Sequence, residues 1–164
     1  VVHGDRVETL AGAIVGSLNN ILVAHIEGGE VSGTVDELIR HSVSKLSHIH
    51  FVSNEEASKR LMQMGEIKSS IFTIGSPDID IMFSKDLPRL EEVMHYYQIP
   101  FEKYAMVMFH PVTTEAKEMQ QYADDFISAL ENDMHNYVVI YPNNDLGSQF
   151  IIDCYHLYLV CIVC

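Results

Sequence analysis

Residues 21–52, ILVAHIEGGEVSGTVDELIRHSVSKLSHIHFV, decide the fold. The run 21–26 is apolar except for His25, and its length suits a buried strand. Residues 27–33 are rich in glycine and read as a loop. Thr34 with Glu37 three positions later has the form of a capping box, which predicts a helix to about Lys45. Residues 48–52 then return to a strand pattern. A strand, a loop, a helix and a second strand in this order predict a parallel pair joined by a helical crossover.

The same alternation extends both ways. Residues 1–3 read as the end of a strand. Val7, Leu10, Ala11, Ile14, Val15 and Leu18 recur at helical spacing, and Asn19-Asn20 supply a stop. Downstream, Ser53 with Glu56 forms a second candidate capping box, opening a helix that ends near Gly65. A strand over 71–74 stops at Gly75-Ser76-Pro77, and a short helical piece follows over 79–83. Residues 85–103 combine charge, tyrosines and two prolines and read as a linker between lobes, helical in its middle. A strand over 104–109 ends at His110-Pro111. A long amphipathic helix is predicted from Thr114 to about Asn132, then a strand over 137–141 and a loop at Pro142-Asn143-Asn144-Asp145.

The expected class is therefore α/β with Rossmann-like parallel sheets. The first lobe occupies 1–84, the linker 85–103, and the start of a second lobe 104–153. The segment 154–164 carries all three cysteines, Cys154, Cys161 and Cys164, and is apolar apart from His156. Its spacing fits no zinc site and no disulfide framework, and it reads as an atypical tail without a functional role. The opening Val1-Val2, running straight into Gly4-Asp5, reads as an internal piece of a longer chain, truncated at both ends.

Composition narrows the function. Ten basic against 23 acidic residues give a formal charge of −13, which argues against a nucleic-acid partner, whose backbone rewards cations. No apolar run is long enough to span a bilayer, so no membrane role is expected, and a cytoplasmic location is the default. With 48% hydrophobic and 20% charged residues, the chain can build a core.

In open parallel sheets, ligands bind beyond the carboxyl ends of the strands. The residues there are Gly4-Asp5-Arg6, Glu27-Gly28-Gly29, Ser53-Asn54, Gly75-Ser76-Pro77, His110-Pro111 and Pro142–Asp145. Asp5 and Glu27 end strands that are neighbours in sequence, and Asp36 lies in the first turn of the helix after the glycine loop. Three carboxylates in one pocket could divide acid and base roles between them. Equally, Asp36 could cap its helix, Asp5 make a turn and Glu27 face solvent. Arg6 and Arg40 are the cations best placed for an anionic ligand, although Arg40 could instead pair with Asp36 at i,i+4. The helix N-termini after Asp5, Gly33 and His110 suit phosphate. His48 and His50 share a strand face without carboxylate or cysteine company, so a metal site is not expected.

Several separated motifs, in one order over residues 1–153, resemble UDP-N-acetylglucosamine 2-epimerases. They are Gly4-Asp5-Arg6, His25-Ile26-Glu27-Gly28-Gly29-Glu30, Ser32-Gly33-Thr34 with Asp36-Glu37 and Arg40-His41, Gly75-Ser76-Pro77 with Asp80, His110 to Thr114, and Tyr141 to Asp145 with Gly147-Ser148. The form is that of the hydrolysing branch, which feeds sialic-acid-type biosynthesis. The resemblance implies a GT-B-type fold of two Rossmann-like lobes with the UDP-sugar substrate in the cleft. It implies no cofactor, and a homo-oligomer for the full-length parent. The implied reaction converts UDP-N-acetylglucosamine and water to N-acetylmannosamine and UDP through a glycal. It places the catalytic acids at Asp5, Glu27 and Asp36, and substrate contacts at Arg6, Arg40, His110 and Asn143. Sequence departures at both ends lead to the expectation that the 164-residue polypeptide alone is inactive. The rival readings are a UDP-2,4-diacetamido-trideoxyhexose 2-epimerase, a GT-B glycosyltransferase, and a remnant that binds a nucleotide sugar without turnover.

Overall fold

The computed structural model describes residues 1–158 and 162–163. The chain divides into two compact units, Val1–Leu87 and Pro88–Cys164. The first contains β1 (Val2–His3), α1 (Val7–Leu18), β2 (Ala24–Ile26), α2 (Val35–Lys45), β3 (Ile49–Val52), α3 (Glu55–Gln63), β4 (Ile71–Thr73) and α4 (Pro77–Met82). Its four strands form one parallel sheet in the order β1-β2-β3-β4. The crossover predicted from residues 21–52 is present, although the strand is only its last three residues. Ile21 and Leu22 lie outside it and are exposed.

The core of this unit packs helices closely on the sheet. Ala13, Val23 and Val43 are buried together, with Val2, Leu10, Ile39 and Leu46 around them. The apolar stripe of α1 largely faces away, with Val7, Val15 and Leu18 exposed, while the small residues Ala13 and Gly16 turn inward. A Cβ at Gly16 would lie 2.5 Å from Val23 Cγ2, so bulk is excluded from the face that meets the sheet. A second cluster, Val52, Ala57 and Leu61, seats α3.

The caps differ from expectation. Asn54, not Ser53, is the N-cap of α3, and its side chain accepts the Ala57 N–H at 2.9 Å. Buried Ser53 Oγ has no hydrogen-bond partner among the described residues. Thr34 makes no side-chain cap. Glu37 instead folds back past it to accept the N–H groups of Gly33 (2.8 Å) and Ser32 (3.2 Å). These bonds, the Gly33 one first, hold the Glu37 carboxyl below its usual range. The carboxylate thus orders the glycine loop itself.

The second unit contains α5 (Leu90–Tyr96), β5 (Ala105–Met108), α6 (Met119–Glu131), β6 (Tyr137–Ile140), α7 (Ser148–Tyr158) and β7 (Ile162–Val163), with a parallel sheet ordered β5-β6-β7. The long helix expected from Thr114 starts later, because residues Thr113–Glu115 form a separate 3₁₀ turn. Met119, Ala123, Ile127, Val139, Ile151, Cys154 and Tyr155 make the core. Two residues of the expected atypical tail are therefore interior groups of α7. Burial raises the Cys154 thiol and pushes the Tyr155 phenol up to about 12. Cys161 and Cys164 lie outside the described residues. Among the described residues, no helix is long and apolar enough to cross a membrane.

Asn54→Ala should lower unfolding free energy by about 1 kcal/mol, whereas Ser53→Ala should cost less, since only the former removes a cap. Urea denaturation of both variants checks this ordering, and a larger loss for Ser53→Ala would contradict it.

Candidate active site

The last rungs of the first sheet fix where its acidic residues emerge. Gly4 N–H donates to the Ile26 carbonyl at 3.0 Å, and Glu27 N–H donates to the Phe51 carbonyl at 2.8 Å. Asp5 and Glu27 thus leave adjacent strands at one sheet edge.

Asp5 accepts a hydrogen bond from Arg40 Nη2. Arg40 is only 7% exposed, and its Nη1 donates to Ser32 Oγ at 3.1 Å. A guanidinium taken out of water needs an anionic acceptor. This need selects Asp5 on the neighbouring strand end over the i,i+4 pairing with Asp36. Among the described residues, buried Arg40 Nε has no partner, so the pair leaves one donor of the fork unused.

Glu27 has φ +66°, a left-handed backbone that a non-glycine residue rarely adopts. Its Oε2 lies 3.0 Å from His3 Nε2, and its Oε1 accepts from Ser76 Oγ at 3.3 Å. Such backbone strain persists where surrounding contacts over-determine it, and it concentrates at functional sites. Asp36 lies in the first turn of α2, where its Oδ2 accepts the Thr34 hydroxyl at 3.1 Å. Arg6 is the half-buried N-cap of α1.

Next to these groups lies His25, which shares a strand face with Glu27. His25 is fully buried, with Nε2 2.9 Å from the Gly4 carbonyl and Nδ1 3.1 Å from Ser44 Oγ. A carbonyl only accepts, so Nε2 carries the proton, while Nδ1 faces the Ser44 hydroxyl, which also reaches the Arg40 carbonyl at 3.1 Å. A Cβ at Gly28 would lie 2.9 Å from both His25 Nδ1 and Ser44 Oγ, so the glycine is what makes room for the ring. Burial lowers the His25 pKa to about 4, against the Gly4 hydrogen bond, and His50 and Arg40 add to the lowering. The neutral ring ties the end of β1 to α2 directly below Asp5 and Arg40. The signal in sequence was His25 two residues before Glu27 on the same strand face, but nothing there distinguished a strut from a ligand.

His48 and His50 have structural partners. His48 Nδ1 accepts the Val23 N–H at 3.2 Å, and buried His50 meets Glu66 at 3.2 Å, with Lys45 2.6 Å from the other Glu66 oxygen. Among the described residues, no group of three or more His, Cys, Asp or Glu side chains could hold a metal ion.

In the second unit, His110 and Asn143 follow β5 and β6 and meet there. Asn143 N–H donates to His110 Nδ1 at 3.0 Å. The Asn143 side chain is held by Asp145, donating from Nδ2 to Oδ2 at 2.7 Å.

Parallel sheets with helical crossovers, and charged residues gathered at strand ends, define an α/β protein of the Rossmann-like, GT-B-type class. A family profile described as UDP-N-acetylglucosamine 2-epimerase matches residues 1–163, and the chain belongs to this family. It is 60% identical over 152 residues to a UDP-N-acetylglucosamine 2-epimerase of Neisseria meningitidis serogroup B, covering 93% of this chain and 40% of that protein. It is 40% identical over 149 residues to a hydrolysing UDP-N,N'-diacetylbacillosamine 2-epimerase of Legionella pneumophila, covering 90% of this chain and 40% of that protein. The chain therefore spans two fifths of the length of these relatives. In fold it is similar, with a TM-score of 0.73 at 18% identity, to the crystal structure of a UDP-GlcNAc 2-epimerase from Neisseria meningitidis bound to UDP-GlcNAc, covering 98% of this chain and 47% of that one.

At position 27, Glu27→Ala should be about 1 kcal/mol less stable than Glu27→Gly, because only glycine is unstrained at φ +66°. Equal stability, or a more stable alanine variant, measured by urea unfolding, would contradict the strained backbone. The His25 pKa is depressed on folding, so the unfolded chain binds the extra proton between pH 6.5 and about 4. Stability is therefore fully present above pH 6.5 and falls as pH drops through that window, by roughly 3 kcal/mol from this ring. His50, also lowered by burial, adds in the same direction. Urea midpoints at pH 7, 6 and 5 should fall less steeply in His25→Asn than in the parent, and parallel slopes would refute the assignment.

Proposed function

We propose that the full-length gene product is a hydrolysing UDP-N-acetylglucosamine 2-epimerase. It would convert UDP-N-acetylglucosamine and water to N-acetylmannosamine and UDP, in biosynthesis of the sialic-acid type. The observation that carries this reading is the placement of Asp5 and Glu27 at one sheet edge, each held by its own partner. The chain alone, at 40% of the length of its relatives, is proposed to be inactive.

The physical difficulty is that C2–H of an intact sugar is barely acidic. Loosening the anomeric C1–O bond gives C1 cationic character, and a carboxylate can then remove the C2 proton as UDP departs. The product is a glycal with its double bond between C1 and C2. Water adds at C1, and a proton returns to C2 on the opposite face, which inverts that centre. The scheme needs a base, an acid on the other face and stabilisation of the departing diphosphate. Asp5, Glu27 and Asp36 are proposed to share the first two roles. Arg6, Arg40, His110 and Asn143 are proposed to contact the substrate. The Arg40 guanidinium, held by Asp5 and Ser32, supports a fixed positive charge at this edge.

The 40% identity to the diacetylbacillosamine enzyme favours one alternative, the same reaction on a UDP-2,4-diacetamido-trideoxyhexose. Both sugars should be supplied to the full-length gene product in deuterated water, following UDP release and deuterium at C2 by NMR. The proposal expects UDP release from UDP-N-acetylglucosamine with C2-deuterated N-acetylmannosamine. Asp5→Asn, Glu27→Gln and Asp36→Asn should each slow turnover by about a hundredfold or more. Turnover of the diacetamido sugar alone would establish the alternative, and intact UDP-sugar in both tubes would refute the epimerase reading.

A further inference from the structure

We propose that His3 is the proton-exchange partner of Glu27, an inference that rests on the carboxylate chemistry proposed above. His3 is the last residue of β1, and its Nε2 is 3.0 Å from Glu27 Oε2. Within this chain the imidazole side chain is 49% exposed and the carboxylate side chain 24%, so the ring is the more open of the two groups. Its backbone is fixed on both sides. His3 pairs in register with Ile26, and its carbonyl accepts the Thr9 hydroxyl at 2.7 Å. Ser76 donates to the other Glu27 oxygen, so the carboxylate is gripped through both oxygens.

Proton balance gives this contact a task. The elimination moves the C2 proton to a base, and the second half of the reaction delivers a proton to C2 while water supplies the C1 hydroxyl. Each acid involved must return to its starting state before the next turnover. If Glu27 takes the proton, the carboxyl passes it to His3 Nε2, and the imidazolium releases it to water. If Glu27 gives the proton, water protonates the ring and the ring reloads the carboxylate. Either way one proton crosses the pair per turnover, and no reactant other than water is needed. Imidazole is the side chain suited to such transfer near neutral pH. Ser76 is the positioning residue, since a hydroxyl held on Oε1 leaves Oε2 directed at the ring.

The test uses His3→Gln and His3→Ala in the full-length gene product. Glutamine keeps an N–H donor within reach of Oε2 but cannot carry a proton through. His3→Gln should slow UDP release by about tenfold or more with KM for the UDP-sugar within about twofold, and added imidazole should restore part of the rate lost in His3→Ala. A rate for His3→Gln within about twofold of the parent, or an His3→Ala defect that imidazole does not relieve, overturns the proposal. A parent that releases no UDP would instead overturn the function it rests on. The pair itself is read independently of turnover from the ring nitrogen signals of His3 by NMR. Glu27→Gln should move those signals and Asp36→Asn should not, and signals indifferent to Glu27→Gln overturn the contact.

Discussion

The first unit is organised around one buried charge. Arg40 projects from α2 into a region where it is 7% exposed, and a guanidinium there is tolerable only with an anion against it. Asp5 supplies that anion, and Ser32 takes a second donor. The pair therefore fixes three things at once: the exit of the chain from β1, the fold of the glycine loop, and the first turns of α2. Those are the segments that carry Asp5, Glu27 and Asp36. His25 braces the same junction from below, joining the Gly4 carbonyl to Ser44, one turn beyond Arg40. The edge is held by charge above and a neutral imidazole below.

That construction explains how acids can be presented without collapsing onto one another. Each of the three carboxylates has its own hydrogen-bonding partner: Arg40 for Asp5, His3 and Ser76 for Glu27, Thr34 for Asp36. Each carboxylate thus has its own immediate hydrogen-bonding environment. Separate environments are the physical basis on which chemically identical groups take different protonation roles. The left-handed backbone at Glu27 belongs to the same design, because a relaxed conformation would redirect its side chain.

Much of this was legible in residues 21–52. The alternation of apolar runs with helical spacing gave the parallel crossover, since strand and helix periods differ enough to be told apart in a short window. The emergence of Asp5 and Glu27 at adjacent strand ends was legible from the apolar runs that precede them. What escaped was side-chain direction. Arg40 is four residues from Asp36 in sequence but bonds Asp5, 35 residues away, because burial outweighs proximity along a helix. The α1 stripe reads as a buried face, but close helix–sheet approach favours Ala13 and Gly16 instead. Ser53 and Asn54 are equally good caps on paper, and only the turn geometry selects Asn54. Cys154 and Tyr155 belong to a segment of atypical composition, but the apolar character that sets it apart suits the core of the second unit.

The central claim is that the acids at this sheet edge act on C2 of a UDP-linked amino sugar. Its most direct test is a crystal structure of the full-length Glu27→Gln gene product with UDP-N-acetylglucosamine. The account predicts C2 within about 3.5 Å of the side chain at position 27 or of the Asp5 or Asp36 carboxylate, the separation from which a proton can be transferred. A sugar bound with C2 beyond reach of positions 5, 27 and 36 alike would contradict it.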